Sequence, residues 1–540
     1  MHTIEPDLIL YNGDVITGPE KLNGDGYTAV AVKYGRIAAL GTDEEILGMG
    51  CRQKIDLGGK PLMPGFISNH DHLVHDAMFK MCVDCSGDRV RSIPEMLAVL
   101  QAQISLTSEG GWVTGFGYHD FDLPEQRDPT REELDSIAPD HPLMIIQKSA
   151  HVGMVNTRGL ETLGIPLFGP VEGENSDEII RDADGTATGR LNETTLFTIG
   201  KQLLKELYYA QDEASQMRAL GKTGDEFLSR GVTTAVDAWC NPEELELYRK
   251  GIDAGIIKPR VVMMPFYETC GNLLHSGMIT NYRYDRIKIG PIKLFSDGSL
   301  TSRTAAVSVP FGGTDSSIAP VYSQQQMDDM VKEIDGLGFQ IAIHAVGDVA
   351  IDQVLNAYEK VIGEGGNPRR HRIEHLSLLT EPLLERCAAL NIVGIVIPQG
   401  IYAHGDSIID FYGDYIDRFQ IYRSLLEKGV RLAGHSDMPL LPVDPIAAMQ
   451  TAVERKTRDG VDFCPQECIS IVDALRLYTT DAAFAVFEEQ RVGSIDLGKC
   501  ADFTVLSQSL LDTPVAEWRD CCRVEMTIVD GEVVYQAECP

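Results

Sequence analysis

Two histidines one residue apart, His70 and His72, are the residues of this 540-residue chain that most directly suggest chemistry. They follow an apolar run containing Leu62, Phe66 and Ile67, which predicts a β-strand. Side chains at positions i and i+2 of a strand point to the same side, so two imidazoles can converge on one point, as metal ligands must. A lone His-x-His pair is more often incidental, and the prediction therefore depends on the rest of the chain.

Four further residues suited to a metal site lie within or at the end of predicted strands later in the sequence. They are Lys293, His344, His375 and Asp437. Imidazoles and a carboxylate suit zinc, manganese or iron. An ammonium group cannot ligate a metal, but a neutral lysine can take up carbon dioxide as a carbamate whose two oxygens bridge two cations.

The elements that must position these residues alternate as strands and helices. The predicted strands are one that ends at Asn69, then Thr233–Asp237, Val261–Tyr267, Ile289–Phe295, Phe339–His344, His371–His375, Ile392–Ile397 and Arg431–Ser436. The predicted helices are Glu213–Arg230, Glu243–Ala254, Gln324–Leu337, Ala350–Ile362, Glu381–Leu390 and Asp417–Glu427. Eight strand–helix units predict an α/β fold of the (β/α)8 TIM-barrel type, in which the carboxyl ends of all strands meet at one mouth.

Each candidate also has an ordinary structural interpretation. A histidine at a strand end is often a satisfied polar residue, Lys293 can be the partner in a buried ion pair, and Asp437 can cap the following helix. The metal-site hypothesis is favoured because all six residues occur at strand ends in the order that a barrel requires.

Both chain termini predict short hairpins that need partners. Leu8–Tyr11 and Val15-Ile16 flank an Asn12-Gly-Asp14 turn, and Tyr27–Lys33 and Ile37–Leu40 flank Tyr34-Gly-Arg36. At the far end, strands are predicted within Val492–Leu506 and on both sides of Asp530-Gly531.

We therefore expect three parts. Residues 1–62 and 489–540 form a composite β-sandwich, residues 63–488 form the barrel, and residues 76–230 form an insertion subdomain after the first barrel strand. About 160 residues separate His72 from Thr233, far more than one β–α connection needs.

Composition excludes several classes of function. The formal charge of −33 argues against a nucleic-acid binder. No stretch reaches the ~18 apolar residues of a membrane span, and the first residues lack the pattern of a secretory signal. The 12 cysteines are scattered, which favours the reducing cytoplasm, and we interpret the Cys82-x-x-Cys85 pair as structural.

The motifs together resemble the amidohydrolase superfamily, in particular the amidohydrolase family 3 branch that includes N-substituted formamide deformylase-like enzymes. They are Pro64-Gly-Phe-Ile-Ser-Asn-His-Asp-His72, Lys293-Leu-Phe-Ser-Asp-Gly-Ser299, Ile343-His-Ala-Val-Gly-Asp348, Arg372-Ile-Glu-His375, Ser436-Asp-Met-Pro439, Gly498-Lys-Cys-Ala-Asp502 and Thr527-Ile-Val-Asp-Gly531. One departure is Ser68-Asn69, where the branch has an acidic and a small residue; it changes no ligand.

The resemblance implies hydrolysis of an amide-type C–N bond by metal-activated hydroxide. It implies one or two divalent metal ions, with zinc expected, held by His70, His72, His344, His375 and Asp437. Lys293 matches a lysine that is carboxylated in some relatives and bridges two metal ions there. Asp437 would also act as general base and then acid. For substrate binding we name His151, Asp297 and Arg303; Asp297 and Arg303 can equally pair with each other.

Two alternatives stay open. One is a deaminase or N-acyl deacylase with a single metal ion. The other is a metal-free, non-catalytic structural relative, against which the complete ligand set argues. We expect a small-molecule substrate, no nucleic-acid or membrane partner, and a homodimer. Which small molecule is bound depends on loop shapes that residue spacing does not reveal.

Overall fold

The computed structural model describes residues 5–21, 25–87, 89–148, 152–169, 178–192, 195–300, 304–309, 318–363 and 366–538. It divides into two compact units. One comprises Met1–Leu73 together with Gly224–Pro540, and the other comprises Val74–Thr223. Within the described ranges, the helices are all too short or too polar to cross a membrane.

In the larger unit, one sheet is built from amino-terminal strands, and a second combines strands from both chain ends. The first has the order Arg36–Gly41, Ala29–Lys33, Leu8–Tyr11, Gln53–Asp56. The second has the order Asp14–Val15, Pro61–Pro64, Phe503–Leu506, Val524–Val529, Glu532–Gln536. Leu10 and Val32 of the first sheet pack in one hydrophobic core with Phe503 and Ile528 of the second. This core therefore needs residues from both ends of the chain.

Two of the predicted hairpins are confirmed and two terminal predictions are wrong. Hairpins turn at Tyr34-Gly35 and at Asp530-Gly531, where all four residues have positive φ, as type I′ turns require. The Asn12-Gly13 turn instead carries the chain from one sheet to the other, because Leu8–Tyr11 and Asp14–Val15 have partners in different sheets. The stretch around Val492–Leu497 contains turns and bends and no strand.

The centre of the larger unit contains the parallel strands. One sheet orders them as Phe66–Asp71, Val232–Cys240, Arg260–Pro265 and Ile287–Ile289, with Arg283–Tyr284 added antiparallel at the edge. The other sheet orders them as Ile292–Phe295, Ile341–Ala345, Arg372–His375, Val393–Val396 and Arg431–Gly434. These match the eight predicted strands, except that Gly290-Pro291 splits the fourth in two.

The two parallel sheets meet at both edges. At one edge, Phe266 and Lys293 form a parallel bridge, and Tyr267 N–H donates to the Lys293 carbonyl at 3.1 Å. At the other edge, Asp437 N–H donates to the His70 carbonyl at 3.1 Å. The first and last parallel strands are thereby brought next to each other.

Helices connect and cover these strands. Their bounds are Pro242–Asp253, Gly271–Leu274, Gln324–Gly336, Asp348–Ile362, Glu381–Ala389, Pro398–Tyr412, Tyr422–Glu427, Pro445–Glu454, Ile471–Leu477 and Thr480–Ala485, with Asp43–Ile46 and Trp518–Cys521 near the ends. Five predicted helices are confirmed to within two residues. The sixth, Asp417–Glu427, is wrong in its first half, where Gly413–Arg418 is a 3-10 helix. The helix Pro398–Tyr412 was not predicted.

The smaller unit is built on a six-stranded sheet. Its order is Ile179–Arg181, Ala187–Asn192, Val152–Val155, Leu143–Gln147, Val113–Tyr118, Val83–Asp84. Its helices are Ile93–Ile104, Arg131–Ile137, Thr157–Thr162 and Lys201–Tyr209, while Leu73–Lys80 and Glu213–Ser229 run across its limits. Alternate residues of Leu143–Gln147 enter two different hydrophobic cores, so both faces of the sheet are covered.

The Cys82 and Cys85 thiols belong to this unit and support the structural interpretation. Burial raises the pKa of Cys82 to about 11 and that of Cys85 to about 12. Both thiols therefore stay protonated at neutral pH, whereas metal binding and thiol exchange need the thiolate.

Candidate metal centre

Five of the six predicted metal residues lie at the carboxyl ends of parallel strands or just after them, and Lys293 is the second residue of its strand. His70 belongs to Phe66–Asp71, and His72 follows it directly. Lys293, His344 and His375 belong to Ile292–Phe295, Ile341–Ala345 and Arg372–His375. Asp437 comes three residues after the last strand ends at Gly434.

Three of the side chains form a tight group. His70, His375 and Asp437 each offer one ligand atom, and these atoms all lie within 4.8 Å of one another. His70 Nε2 is 3.7 Å from Asp437 Oδ1, and the rings of His70 and His375 are 4.7 Å apart. Such spacing suits three ligands of a single cation.

The other three side chains lie against this group. His72 Nε2 is 3.2 Å from Asp437 Oδ1, and Lys293 Nζ is 3.4 Å from His70 Nε2. The ring of His344 is 4.5 Å from that of His375. The structure thus brings all six predicted residues together at one point.

The contacts of His344 indicate which of its nitrogens faces a ligand. Its Nε2 is 3.0 Å from the Gly298 carbonyl oxygen and 3.6 Å from Asp297 Oδ1. A carbonyl only accepts, so Nε2 carries the proton and the lone pair is on Nδ1. A cation at this site would be bound by Nδ1.

Burial keeps the imidazoles neutral. Desolvation lowers the pKa of His344 to about 4 and places the pKa values of His70 and His375 well below their ordinary value. Burial also lowers the pKa of Lys293 to about 8. Neutral imidazoles are the form that binds a metal ion.

Asp437 is ionised among these rings. Burial alone would raise its pKa, but the imidazoles of His375, His72 and His70 lower it to well below the ordinary value. Its Oδ1 is buried and accepts no well-aligned hydrogen bond from any residue of the described ranges. An unsatisfied buried carboxylate oxygen facing imidazole nitrogens fits a cation better than it fits a hydrogen-bonded core.

Comparison with known proteins decides the family. Residues 53–535 match the model of the amidohydrolase family. This chain belongs to the amidohydrolase family. The resemblance seen in its motifs is confirmed.

Relatives of this amidohydrolase cover nearly its whole length. It is 31% identical over 551 residues to the N-substituted formamide deformylase of Arthrobacter pascens, covering 98% of each chain. It is 26% identical over 552 residues to a putative amidohydrolase of Bacillus subtilis (strain 168), covering 98% of this chain and 99% of the other.

A solved structure is also similar to it over nearly its whole length. An uncharacterized metal-dependent hydrolase from Pyrococcus horikoshii OT3 has 25% identity and a TM-score of 0.75, over 95% of this chain and 99% of the other. The mixed α/β fold is thus that of the amidohydrolase superfamily, and the comparisons support a metal-dependent hydrolase of amide-type bonds.

The amidohydrolase site includes two residues to which the sequence assigned no role. Glu374 is fully buried and accepts a hydrogen bond from His70 Nδ1. His435 is also buried, with its ring 5.0 Å from that of His70 and 4.9 Å from that of His375. The sequence does contain a usable signal for Glu374, namely its charge within the buried strand Arg372–His375, where a carboxylate needs a partner.

The predicted substrate residues have different outcomes. The Asp297 carboxylate is buried and accepts hydrogen bonds from the backbone N–H groups of Ala306, Val346 and Gly347. A substrate contact of Asp297 stays a prediction. His151 and Arg303 lie outside the described residues.

Aromatic rings adjoin the site on one side. Trp239 packs against Phe266 and Phe295 at ring distances of 4.7 Å and 5.2 Å, and Phe295 is 5.2 Å from the His344 ring. Lys293 Nζ lies 4.6 Å from the centre of the Phe295 ring. The apolar surroundings explain why Lys293 and His344 lose the charged form so readily.

Proposed function

We propose that this protein is a metal-dependent hydrolase that cleaves an amide-type C–N bond, other than a peptide bond, in a small molecule. The observation that carries the proposal is the half-buried, ionised Asp437, whose buried Oδ1 adjoins His70 and His72 at the strand ends. The name of the Arthrobacter relative, an N-substituted formamide deformylase, supports a small amide as substrate.

The architecture that goes with this function is a (β/α)8 barrel of residues 63–488. A composite β-sandwich of residues 1–62 and 489–540 and an insertion of residues 76–230 complete it. The sequential order of the parallel strands and the contacts between their outer edges support it. The scattered cysteines support a cytoplasmic location, and a homodimer remains part of the proposal.

One or two divalent ions, with zinc as first choice, would be held by His70, His72, His344, His375 and Asp437. When bound, such an ion lowers the pKa of a water molecule and polarises the scissile carbonyl. Neutral imidazoles supply the lone pairs for it, and burial in the site excludes competing water from them.

Asp437 is the proton carrier of the proposed reaction. Its low pKa keeps it ionised, so it can accept a proton from the attacking water at a carboxylate oxygen. It then returns that proton to the nitrogen of the leaving amine. His72 Nε2 lies 3.2 Å from Asp437 Oδ1, so the His72 ring adjoins the carboxylate that carries the proton.

The chemical state of Lys293, free amine or carbamate, distinguishes a site for one metal ion from a site for two. With a pKa of about 8, a substantial part of its amine is neutral at mildly alkaline pH. Addition of the neutral amine to carbon dioxide forms a carbamate and releases one proton. A carbamate with two ions per chain favours the amide hydrolase, whereas one ion and an unmodified lysine favour the single-metal deaminase or deacylase.

The test is to replace Asp437 by Asn and measure both metal content and turnover on a panel of N-formyl, N-acyl and cyclic amides. We expect metal retention and a fall in kcat of about 10²- to 10⁴-fold, because one proton carrier is lost. Asp335→Asn is the matched control, since Asp335 also pairs with a histidine, His371, at the opposite strand ends. An unchanged kcat in metal-loaded Asp437→Asn would contradict the assignment.

A further inference from the structure

A buried ion pair lies directly behind His70. Glu374 Oε2 accepts the hydrogen bond from His70 Nδ1, and Arg372 donates to both oxygens of the same carboxylate, at 2.6 Å from Nε and 2.8 Å from Nη2. His70, Arg372 and Glu374 have relative exposures of 1%, 0% and 0%. We infer that Glu374 is a positioning residue that directs His70 Nε2 toward the metal ion, and that Arg372 holds Glu374 in place for this task.

The inference rests on the proposed function, because it assigns a purpose to the orientation of a proposed ligand. A carboxylate only accepts, so His70 must carry its proton on Nδ1 and its lone pair on Nε2. Nε2 is the atom that lies 3.7 Å from Asp437 Oδ1 and 3.4 Å from Lys293 Nζ. Without Glu374, either nitrogen of a neutral imidazole can hold the proton, and the ring can turn.

Arg372 also fixes the backbone that carries His70. Its Nη2 donates to the carbonyl of Asn69 at 2.7 Å, and its Nη1 is 3.4 Å from Asn69 Oδ1. Asn69 is the residue immediately before His70. One guanidinium therefore holds both the carboxylate that orients the ring and the peptide to which the ring is attached.

Stability alone does not explain this pair. A buried ion pair loses so much hydration that apolar residues of similar volume are often as stable or more stable. Here every hydrogen bond that the Glu374 carboxylate accepts in the described structure comes from Arg372 or His70. A carboxylate that accepts from the second nitrogen of a metal-bound histidine raises the basicity of the ligand and fixes its orientation.

The chain offers a matched control in Glu488. This glutamate is also buried and paired with cations, at 2.9 Å from Lys288 Nζ and in contact with Arg283. Within the described residues its ion-pair partners are Lys288, Arg283 and Arg491, none of which is a proposed metal residue.

The experiment compares zinc affinity in full-length wild type, Glu374→Gln and Glu488→Gln by chelator competition, with metal content measured by mass spectrometry. We expect Glu374→Gln to weaken zinc binding by about 10- to 100-fold and Glu488→Gln to leave it within about twofold of wild type. Equal zinc affinity in Glu374→Gln and wild type would overturn the inference, whatever the loss of thermal stability.

A second measurement needs no variant at the ion pair. Nitrogen-15 NMR of histidine-labelled, metal-free protein reports the tautomer of each ring, and His70→Gln identifies the His70 signal. We expect the Nδ1–H tautomer for His70; the Nε2–H tautomer would overturn the inference even if Glu374→Gln fails to fold. Failure of the proposed function has a different signature, namely wild-type protein that binds no zinc.

Discussion

At the residue scale, the half-buried Asp437 and the buried Asp237 have pKa shifts of opposite direction because their neighbours differ. The imidazoles around Asp437 lower its pKa to well below the ordinary value, although burial opposes them. Asp237, on the neighbouring strand Val232–Cys240, lies among other groups and accepts a hydrogen bond from the Tyr248 hydroxyl. Burial first, and then the charge of Glu244, raise its pKa to about 7.

The pKa of Asp237 predicts a pH dependence of stability. Its folded pKa of about 7 exceeds the ordinary value of 3.8, so the folded state holds a proton that the unfolded state has lost between these limits. The stabilisation is complete below pH 4 and is lost as the pH rises through 7. Asparagine does not ionise, so the variant lacks this source of pH dependence. Between pH 5 and pH 8, the unfolding free energy of wild type should therefore fall by about 2 kcal/mol more than that of Asp237→Asn.

Urea denaturation at the two pH values measures this difference. Asn can still accept from the Leu73 N–H, as Asp237 Oδ1 does at 3.2 Å. The control is Asp512→Asn, because Asp512 is an exposed aspartate whose replacement should leave the pH dependence unchanged. Parallel pH profiles for wild type and Asp237→Asn would show that Asp237 is ionised in the folded protein throughout this range.

At the element scale, the strands and the residues at their ends could be predicted because burial leaves a strong pattern. A parallel strand covered on both sides is an unbroken apolar run, and a histidine or aspartate that ends it is conspicuous. His344 was found in this way, whereas His375 ends the polar stretch His371-Arg-Ile-Glu374 and was predicted from the order of strands and helices. The same pattern placed Lys293, since an apolar strand has no local use for an ammonium group.

The turns after the strands could not be predicted. His375 and Asp437 have φ values of 69° and 60°, which are uncommon for residues other than glycine and which set the direction of both side chains. The proton position on His344 depends on the carbonyl of Gly298, 46 residues away in sequence. The role of Glu374 depends likewise on a contact with His70 across 304 residues. Such long-range contacts leave no periodic signal.

Gly434, the last residue of the final parallel strand, should not tolerate a methyl group. A Cβ at Gly434 would lie 2.4 Å from Tyr478 Cζ, in a ring that is 2% exposed. Tyr478 cannot move freely, because its buried hydroxyl donates to the His435 carbonyl at 3.4 Å and its own carbonyl accepts from the Ile67 N–H at 2.8 Å. Gly434→Ala should therefore cost about 1 to 3 kcal/mol of stability through overpacking.

Gly336→Ala is the control for this substitution. Gly336 ends the helix Gln324–Gly336, and a Cβ there would meet no atom within 4 Å. Because alanine favours the helical backbone, this change should be neutral or stabilising. Thermal unfolding of both variants is the measurement, and similar melting temperatures for the two would contradict the close packing of Tyr478 on the last strand.

At the scale of the whole molecule, the two chain ends are joined to the parallel strands by buried charges. Arg260, on the strand Arg260–Pro265, is 3% exposed and donates to both oxygens of Asp502, at 2.6 Å and 3.0 Å. Arg260 also contacts Asp530, which accepts from Arg286 at 2.9 Å. The short terminal strands predicted that the ends need partners, but the sequence has no local mark that pairs Arg260 with a residue 242 positions later.

Loss of one partner from this network should destabilise the whole larger unit. Asp502→Asn leaves the buried Arg260 with reduced compensation for its charge, and the Asn amide cannot accept from both guanidinium nitrogens. Removal of one member of a buried pair costs about 3 to 5 kcal/mol. Asp7→Asn is the control, since the Asp7–Lys33 pair is partly exposed and such pairs contribute about 1 kcal/mol or less.

Urea denaturation followed by two probes distinguishes a local from a global effect. One probe is tryptophan fluorescence, with Trp239 beside the site and Trp518 near the carboxyl terminus, and the other is zinc release. Because the terminal sheets and the parallel strands share the Arg260–Asp502 contact, both transitions should shift to lower urea in Asp502→Asn. A shift in fluorescence without a shift in zinc release would show that the terminal sheets unfold independently of the site. A loss no larger than that of Asp7→Asn would show that the buried pair contributes little to stability.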